Sequence, residues 1–236
     1  MEVLLRIADV FLNLPHNHLI HASLTLLAVL LLLWVTARMN TATTIYFDRF
    51  IGFLPLIIEI NFQIQLSVRN EWLLAEALPL EISYLTSLGI VYYLYHSSRN
   101  LKAWLFYIGI WSAAAALLNT IMTGNESWYF RLRYYGHHGV LLYFGIRIYI
   151  NGYRPTLNDY MITARIMLFF LCCIGIINQL LDSNYMFTRS RPTGMNLSML
   201  MPPWPFYFLI TVSIGLVFCA LLYLLAREDS ITTHHK

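Results

Sequence analysis

The sequence predicts an all-α protein, a polytopic transmembrane helical bundle of about seven spans forming a single domain over residues 1–236. Of its residues 58% are hydrophobic and only 11% charged, where a soluble domain carries roughly 25% charged residues; the mean hydropathy is +0.60. Apolar stretches of the length that crosses a bilayer core recur near 18–38, 50–69, 77–96, 103–123, 135–152, 160–181 and 206–226. Alternating barrel strands are absent for most of the length. Because unpaired backbone groups are too costly in hydrocarbon, helices remain as the workable element.

The elements follow in order. Val3, Leu4, Ile7, Val10, Phe11 and Leu14 recur in a helical rhythm before Pro15, with no small-residue cleavage site, so residues 1–15 read as an interfacial helix that stays attached. His16, His18 and His21 enter the first span. In the second, Glu59 and Gln63 are four apart and share a face, while Asn61 and Gln65 point nearly opposite. Ile58 to Ser67 alternates at period two, a strand pattern in a soluble protein; the membrane argument makes it helix. Pro79 suits the first turn of the third span, Glu81 follows where a helix dipole favours an anion, and Ser83 faces away from Glu81. His137 and His138 enter the fifth span, and Asn178, Gln179 and Asp182 leave the sixth. Tyr134, Tyr135, Trp204 and Tyr207 read as an aromatic belt. Cys172, Cys173 and Cys219 lie inside spans and read as buried apolar fillers, with neither a disulfide framework nor metal-ligand spacing.

Read this way, most ionisable and amide side chains within the spans collect at one membrane face. An intramembrane carboxylate costs about 2.5 to 3.5 kcal/mol on insertion scales, so Glu59 and Glu81 need company, and His, Asn and Gln of neighbouring helices are expected to supply it. On the same face two loops carry arginines: Trp128 to Tyr135 holds Arg131 and Arg133, and Asp182 to Pro205 holds Asn184, Tyr185, Met186, Arg189 and Arg191. Guanidinium groups bind phosphate bidentately, so this face suits a phospholipid headgroup over a polar pocket; the plainer reading is nonspecific snorkelling. The charge of +3 comes from fifteen dispersed Lys and Arg, without the basic run that tracks nucleic acid. Nine of them, Arg38, Arg49, Arg99, Lys102, Arg147, Arg154, Arg165, Arg227 and Lys236, fall on the C-terminal side and six on the other. The positive-inside rule then puts the N-terminus outside and the C-terminus in the cytoplasm of a cell-membrane protein. Asn125-Glu-Ser and Asn196-Leu-Ser match a glycosylation sequon on the outer side, a tripeptide common by chance.

Glu59 with Gln63, Leu78-Pro79-Leu80, His138-Gly139, Asn184-Tyr185-Met186 and Pro203-Trp204-Pro205, in this order, resemble the YwaF-like bacterial membrane proteins, which are similar to the eukaryotic transmembrane protein 164 group. The resemblance runs from about His18 to Leu225. It implies a multi-pass bundle and, through the eukaryotic relatives, acyl transfer on membrane phospholipids by a Cys nucleophile with a His. After Leu-Pro-Leu the bacterial members usually continue with His or Gln, an apolar residue and Cys; this chain has Glu81-Ile82-Ser83. Ser in place of Cys removes the thiolate route, since a serine hydroxyl needs a strong adjacent base.

The first functional expectation is therefore a phospholipid acyltransferase or transacylase needing no cofactor. In it His138 is general base, Glu81 or Glu59 orients the imidazole, Arg131 and Arg189 hold phosphate, and Gln63 and Tyr185 line the site. Asn178 or Asn184 would serve the oxyanion, with Ser83 as nucleophile if the helix start brings it to His138, and direct attack by the acceptor hydroxyl otherwise. The competing expectations are a proton-coupled transporter using Glu59, Glu81 and His138, a metal site of His18, His138, Glu59 and Glu81 without a local ligand motif, and a non-catalytic assembly or sensor subunit.

Overall fold

A computed structural model describes residues 2–192, 194 and 196–228. Lys236, counted above for orientation, and the side chain of Val3 lie outside what is described. The described residues form helices α1 (Glu2–Leu12), α2 (His16–Thr36), α3 (Thr41–Val68), α4 (Leu74–Ala77), α5 (Ile82–Tyr93), α6 (Arg99–Trp104), a π-helical turn (Leu105–Gly109), α7 (Ile110–Leu118), α8 (Trp128–Ile150), α9 (Leu157–Leu181) and α10 (Phe206–Ala226), with short 3-10 turns at Tyr185–Phe187 and Leu197–Leu200.

Five helices among the described residues are long and apolar enough to cross a membrane: His16–Thr36, Thr41–Val68, Arg99–Leu118, Leu157–Leu181 and Phe206–Ala226. Two of the expected seven spans differ from that description. Leu78 and Glu81 are extended, so the third begins its helix at Ile82, beyond Pro79, and runs for only 12 residues, about 18 Å. The cause is local, because the residue before a proline is pushed out of the helical region. The fifth begins at Trp128, earlier than expected, and is long enough at 23 residues but carries three arginines and two histidines. Arg131 and Arg133 thus lie on helix rather than in a loop. The period-two stretch of the second span is helical throughout, as an apolar setting that forces local backbone pairing requires.

The polar α8 is tolerated because it is central. Twelve of its 23 residues are buried, packed by α2, α3, α5, α7 and the π turn. Gly145 makes this possible, since a Cβ there would lie 2.7 Å from Ile110 Cγ1 and 3.2 Å from the Leu105 carbonyl. Tyr107, Leu141, Tyr143, Phe144 and Ile90 form the interior beside it. α2 and α10 instead present Leu24, Leu27, Leu30, Leu209, Val217 and Leu221 outward. That apolar exterior suits lipid rather than water.

Cross-helix bonds fix which ends lie together. His18 binds the Leu117 carbonyl, Leu78 binds Tyr185, Leu197 binds Asn119 and Trp204 binds Thr188. The starts of α2, α5, α8 and α10 and the ends of α3, α7 and α9 therefore share one end of the bundle, here the upper end. Asp48 with Tyr143 and Arg99 with Asp159 join the lower end.

Candidate functional site

The upper end holds a buried polar network across α3, α5 and α8. Glu59, 6% exposed, accepts two hydrogen bonds from Arg133, 4% exposed: Nε to Oε2 at 2.8 Å and Nη2 to Oε1 at 3.0 Å. Phe62 and Tyr84 sandwich the guanidinium, each ring centre 4.0 Å from its carbon. The cation that Glu59 needs thus comes from 74 positions along the chain. Gln63 adds a bond to Glu59 at 2.8 Å and one to the Ala77 carbonyl at 2.7 Å, while its own oxygen accepts from Trp72. With both donors engaged, Gln63 ties α3 to the Trp72–Ala77 segment and is not available to a ligand.

Two histidines stand beside this pair in different settings. His137, fully buried, has Nδ1 2.5 Å from Ser87 Oγ, which also donates to the Tyr84 carbonyl at 2.9 Å. Its Nε2 lies 3.7 Å from Glu59 Oε2, too far for a hydrogen bond. His138 places Nδ1 2.6 Å from the Tyr134 carbonyl. A carbonyl only accepts, so Nδ1 carries the proton and the neutral ring keeps its lone pair on Nε2. The group that orients His138 is therefore a backbone carbonyl, whereas Glu59 faces His137. Tyr84 links the pair, its ring centre 4.9 Å from His137 and 6.4 Å from His138. Ser83 is buried on α5, one turn before Ser87 and hence on the same face toward α8.

Glu81 sits just before α5, and its Oε2 accepts from the Met186 backbone N–H at 2.9 Å. The segment it holds is rigid. Asn178, fully buried, donates to the Tyr185 carbonyl and Thr188 Oγ1 at 2.7 Å each and accepts from Ser183 and Tyr185. Asn184 clamps Arg189 and Ser190, Arg189 pairs with Asp182 at 2.7 Å, and Tyr185 donates to the Leu74 carbonyl while accepting from Leu78. Met186 and Phe187 both take positive φ, 54° and 52°. Such backbone persists only where the surroundings over-determine it.

Of the expected site residues, Glu59 lies beside His137, the neighbour of His138 along α8, Ser83 is buried on α5, and Glu81 is tied to the Met186 backbone. Gln63, Asn178, Asn184, Tyr185 and Arg189 build the frame, their polar atoms bound to protein. Arg131 is half-buried on α8. His18 lies apart, between Tyr135 at 2.8 Å and the Leu117 carbonyl at 3.1 Å. Among the described residues no group of three or more His, Cys, Asp and Glu is placed to hold a metal ion. Sequence reasoning passed over Tyr84, Ser87 and the part played by Arg133. The spacing of Ser83 and Ser87 by one turn was a visible signal; the Glu59–Arg133 pairing left none.

No curated protein and no solved structure matches this chain. The model of the TMEM164 family matches residues 11–223, and by that match over most of its length this membrane protein belongs to the TMEM164 family.

Proposed function

We propose that the chain is a phospholipid acyltransferase or transacylase working at the upper end of the bundle, with membrane phospholipid as its substrate. The observation that carries the reading is His138: a buried imidazole with Nδ1–H fixed on a carbonyl, so that Nε2 is the basic nitrogen, with the Tyr84 ring centre 6.4 Å away. In the simplest scheme the acceptor hydroxyl of a lyso-lipid attacks the ester carbonyl of a diacyl lipid as Nε2 takes its proton. The tetrahedral intermediate then expels the leaving alkoxide, which recovers that proton. The oxyanion donor favoured here is the Tyr84 hydroxyl, since the asparagines first considered are bound within their loop. Ser83 enters only if its hydroxyl reaches Nε2, and Arg131 is the remaining guanidinium for the headgroup. All seven segments, α5 and α8 included, are taken to lie within a cell membrane, with α1 at the interface, the N-terminus outside and the C-terminus in the cytoplasm.

The test is acyl exchange in detergent or nanodiscs between a labelled diacyl phospholipid and an unlabelled lyso-lipid. His138→Ala is expected to abolish exchange and Tyr84→Phe to lower it about 100-fold, in line with losing one oxyanion donor. A second reading, a non-catalytic assembly subunit, draws on the closure of Gln63, Asn178, Asn184 and Arg189 onto protein partners. Under it no lipid pair exchanges, and the same substitutions change only stability.

A further inference from the structure

The motifs at 78–80, 184–186 and 203–205 do no chemistry in the acyl-transfer scheme, yet they meet in one assembly at the upper end. The Tyr185 hydroxyl accepts from the Leu78 N–H at 3.1 Å and donates to the Leu74 carbonyl at 2.7 Å, while the Met186 N–H donates to Glu81 at 2.9 Å. Trp204 donates to the Thr188 carbonyl at 2.9 Å and Tyr207 to that of Phe187. One side of this assembly is fixed, because loop 183–189 is bonded to Asn178 and, through Asn184, to itself. The other side is not. Segment 72–81 has one short helix, and of its residues only Ala77 is buried. Its internal backbone bonds are Glu76 and Ala77 to the Leu73 carbonyl and Leu80 to that of Leu78. Trp72, Leu73 and Leu74 turn outward, 42%, 58% and 47% exposed, and Asn70 just before them takes a φ of 58°. What holds the segment down comes from outside it: Tyr185 and Met186 on one flank, and on the other Gln63, bonded to the Ala77 carbonyl and the Trp72 indole. Few buried contacts and few internal bonds are the marks of a region that opens locally.

The segment runs straight into α5, where Ser83 and Tyr84 are 6% and 8% exposed, and His138 on α8 is 5% exposed. Glu81, Tyr84 and Tyr185 all lie within electrostatic reach of Arg133, so these bonds stand beside the Glu59–Arg133 pair. A lipid cannot meet groups so enclosed unless something at that end moves. We propose that segment 72–81 is a strap that unlatches from Tyr185 and Met186 of the fixed loop to admit phospholipid to the buried upper-end groups. Tyr185 is the latch, since one hydroxyl carries two of the three bonds. What the strap admits rests on the acyl-transfer reading; that it opens rests on the bonds alone.

Hydrogen exchange of the full chain in nanodiscs, read by mass spectrometry, follows the strap directly. In the unaltered protein the amides between Leu74 and Leu80 are expected to exchange faster than those of loop 183–189 and of the centre of α8. Tyr185→Phe should quicken them about tenfold or more, as two lost hydrogen bonds shift a local opening equilibrium, with α8 unchanged. Gln63→Leu, which frees the same segment from the α3 side, should do likewise. In the acyl-exchange assay the lyso-lipid concentration giving half-maximal rate should fall severalfold in Tyr185→Phe, because apparent affinity follows the fraction of open protein. Strap amides as slow as those of α8, or an acceleration in Tyr185→Phe that α8 shares equally, overturns the strap. An unchanged half-maximal concentration while the strap amides quicken overturns its gating of the site. Absence of acyl exchange in every form, with the strap still opening, overturns the acyl-transfer reading instead.

Discussion

Glu59 and Arg133 show how far a residue's role depends on what it touches. Either alone inside a membrane is an isolated charge; together, with two bonds and two flanking rings, they are a neutral unit. Arg133→Gln should therefore destabilise the protein by about 3 to 5 kcal/mol, because it strands Glu59 rather than because the pair stabilises that much. Glu59→Gln combined with Arg133→Met should recover most of the loss. Thermal unfolding in detergent measures both, and additive losses in the double variant would refute the pairing argument. Glu59, Gln63, Glu81 and His138 were recognisable beforehand as costly groups at one face. Which of them touch one another was not, since the partners of Glu59 and Glu81 come from positions 133 and 186. The choice between adjacent histidines was equally hidden. A turn of 100° between neighbours on α8 sends His137 to Ser87 and leaves His138 on its own helix's carbonyl.

At the scale of elements, apolar runs of sufficient length located the helices, and local chemistry set their ends. Thr156 and Asp159 form a capping box at the start of α9, and Asn40 caps α3 through the Thr43 N–H. Spans three and five start without a side-chain cap; in the third, the Leu78-Pro79 step sets the boundary without changing the overall hydropathy. The connection between α7 and α8 is held by Glu126. Burial pushes its carboxyl pKa up, but bonds from the Thr123 N–H and hydroxyl and from the Gly124 N–H outweigh this and leave it below the usual 4.5. A depressed folded pKa means the carboxylate stabilises the turn above the unfolded value, and the benefit is lost as pH falls through the folded value. Amide exchange at Thr123 and Gly124 should thus quicken below about pH 4.5. In Glu126→Gln it should already be faster at pH 7 and lack that step, and a step of the same size in the variant would contradict this assignment.

For the whole molecule, the decisive property is that polarity is sorted inward and toward the ends, while α2, α9 and α10 turn leucine, isoleucine and phenylalanine outward. The proposed topology makes a prediction at this scale. Asn125→Cys, in an exposed upper loop, should react with a membrane-impermeant thiol reagent added to intact cells. Met39→Cys, in the lower turn between α2 and α3, should react only after permeabilisation. The reverse pattern would invert the orientation drawn from nine lower against six upper Lys and Arg. The family match over residues 11–223 agrees with a resemblance carried by short motifs spread along the chain, which no single helix would have supplied.

Hydropathy and length alone determined that this chain is a helical membrane protein, because transfer of backbone and apolar side chains into lipid depends on composition over some 20 residues. The order of residues along the spans also pointed to a polar upper end, where Glu59, Arg133 and His137 lie together. Tertiary structure alone decided that α8 lies in the centre, that Arg133 neutralises Glu59, and that the Asn184–Arg189 segment is frame rather than pocket. Those outcomes arise from contacts between residues far apart in sequence, whose energies are set by distance and enclosure rather than by order along the chain.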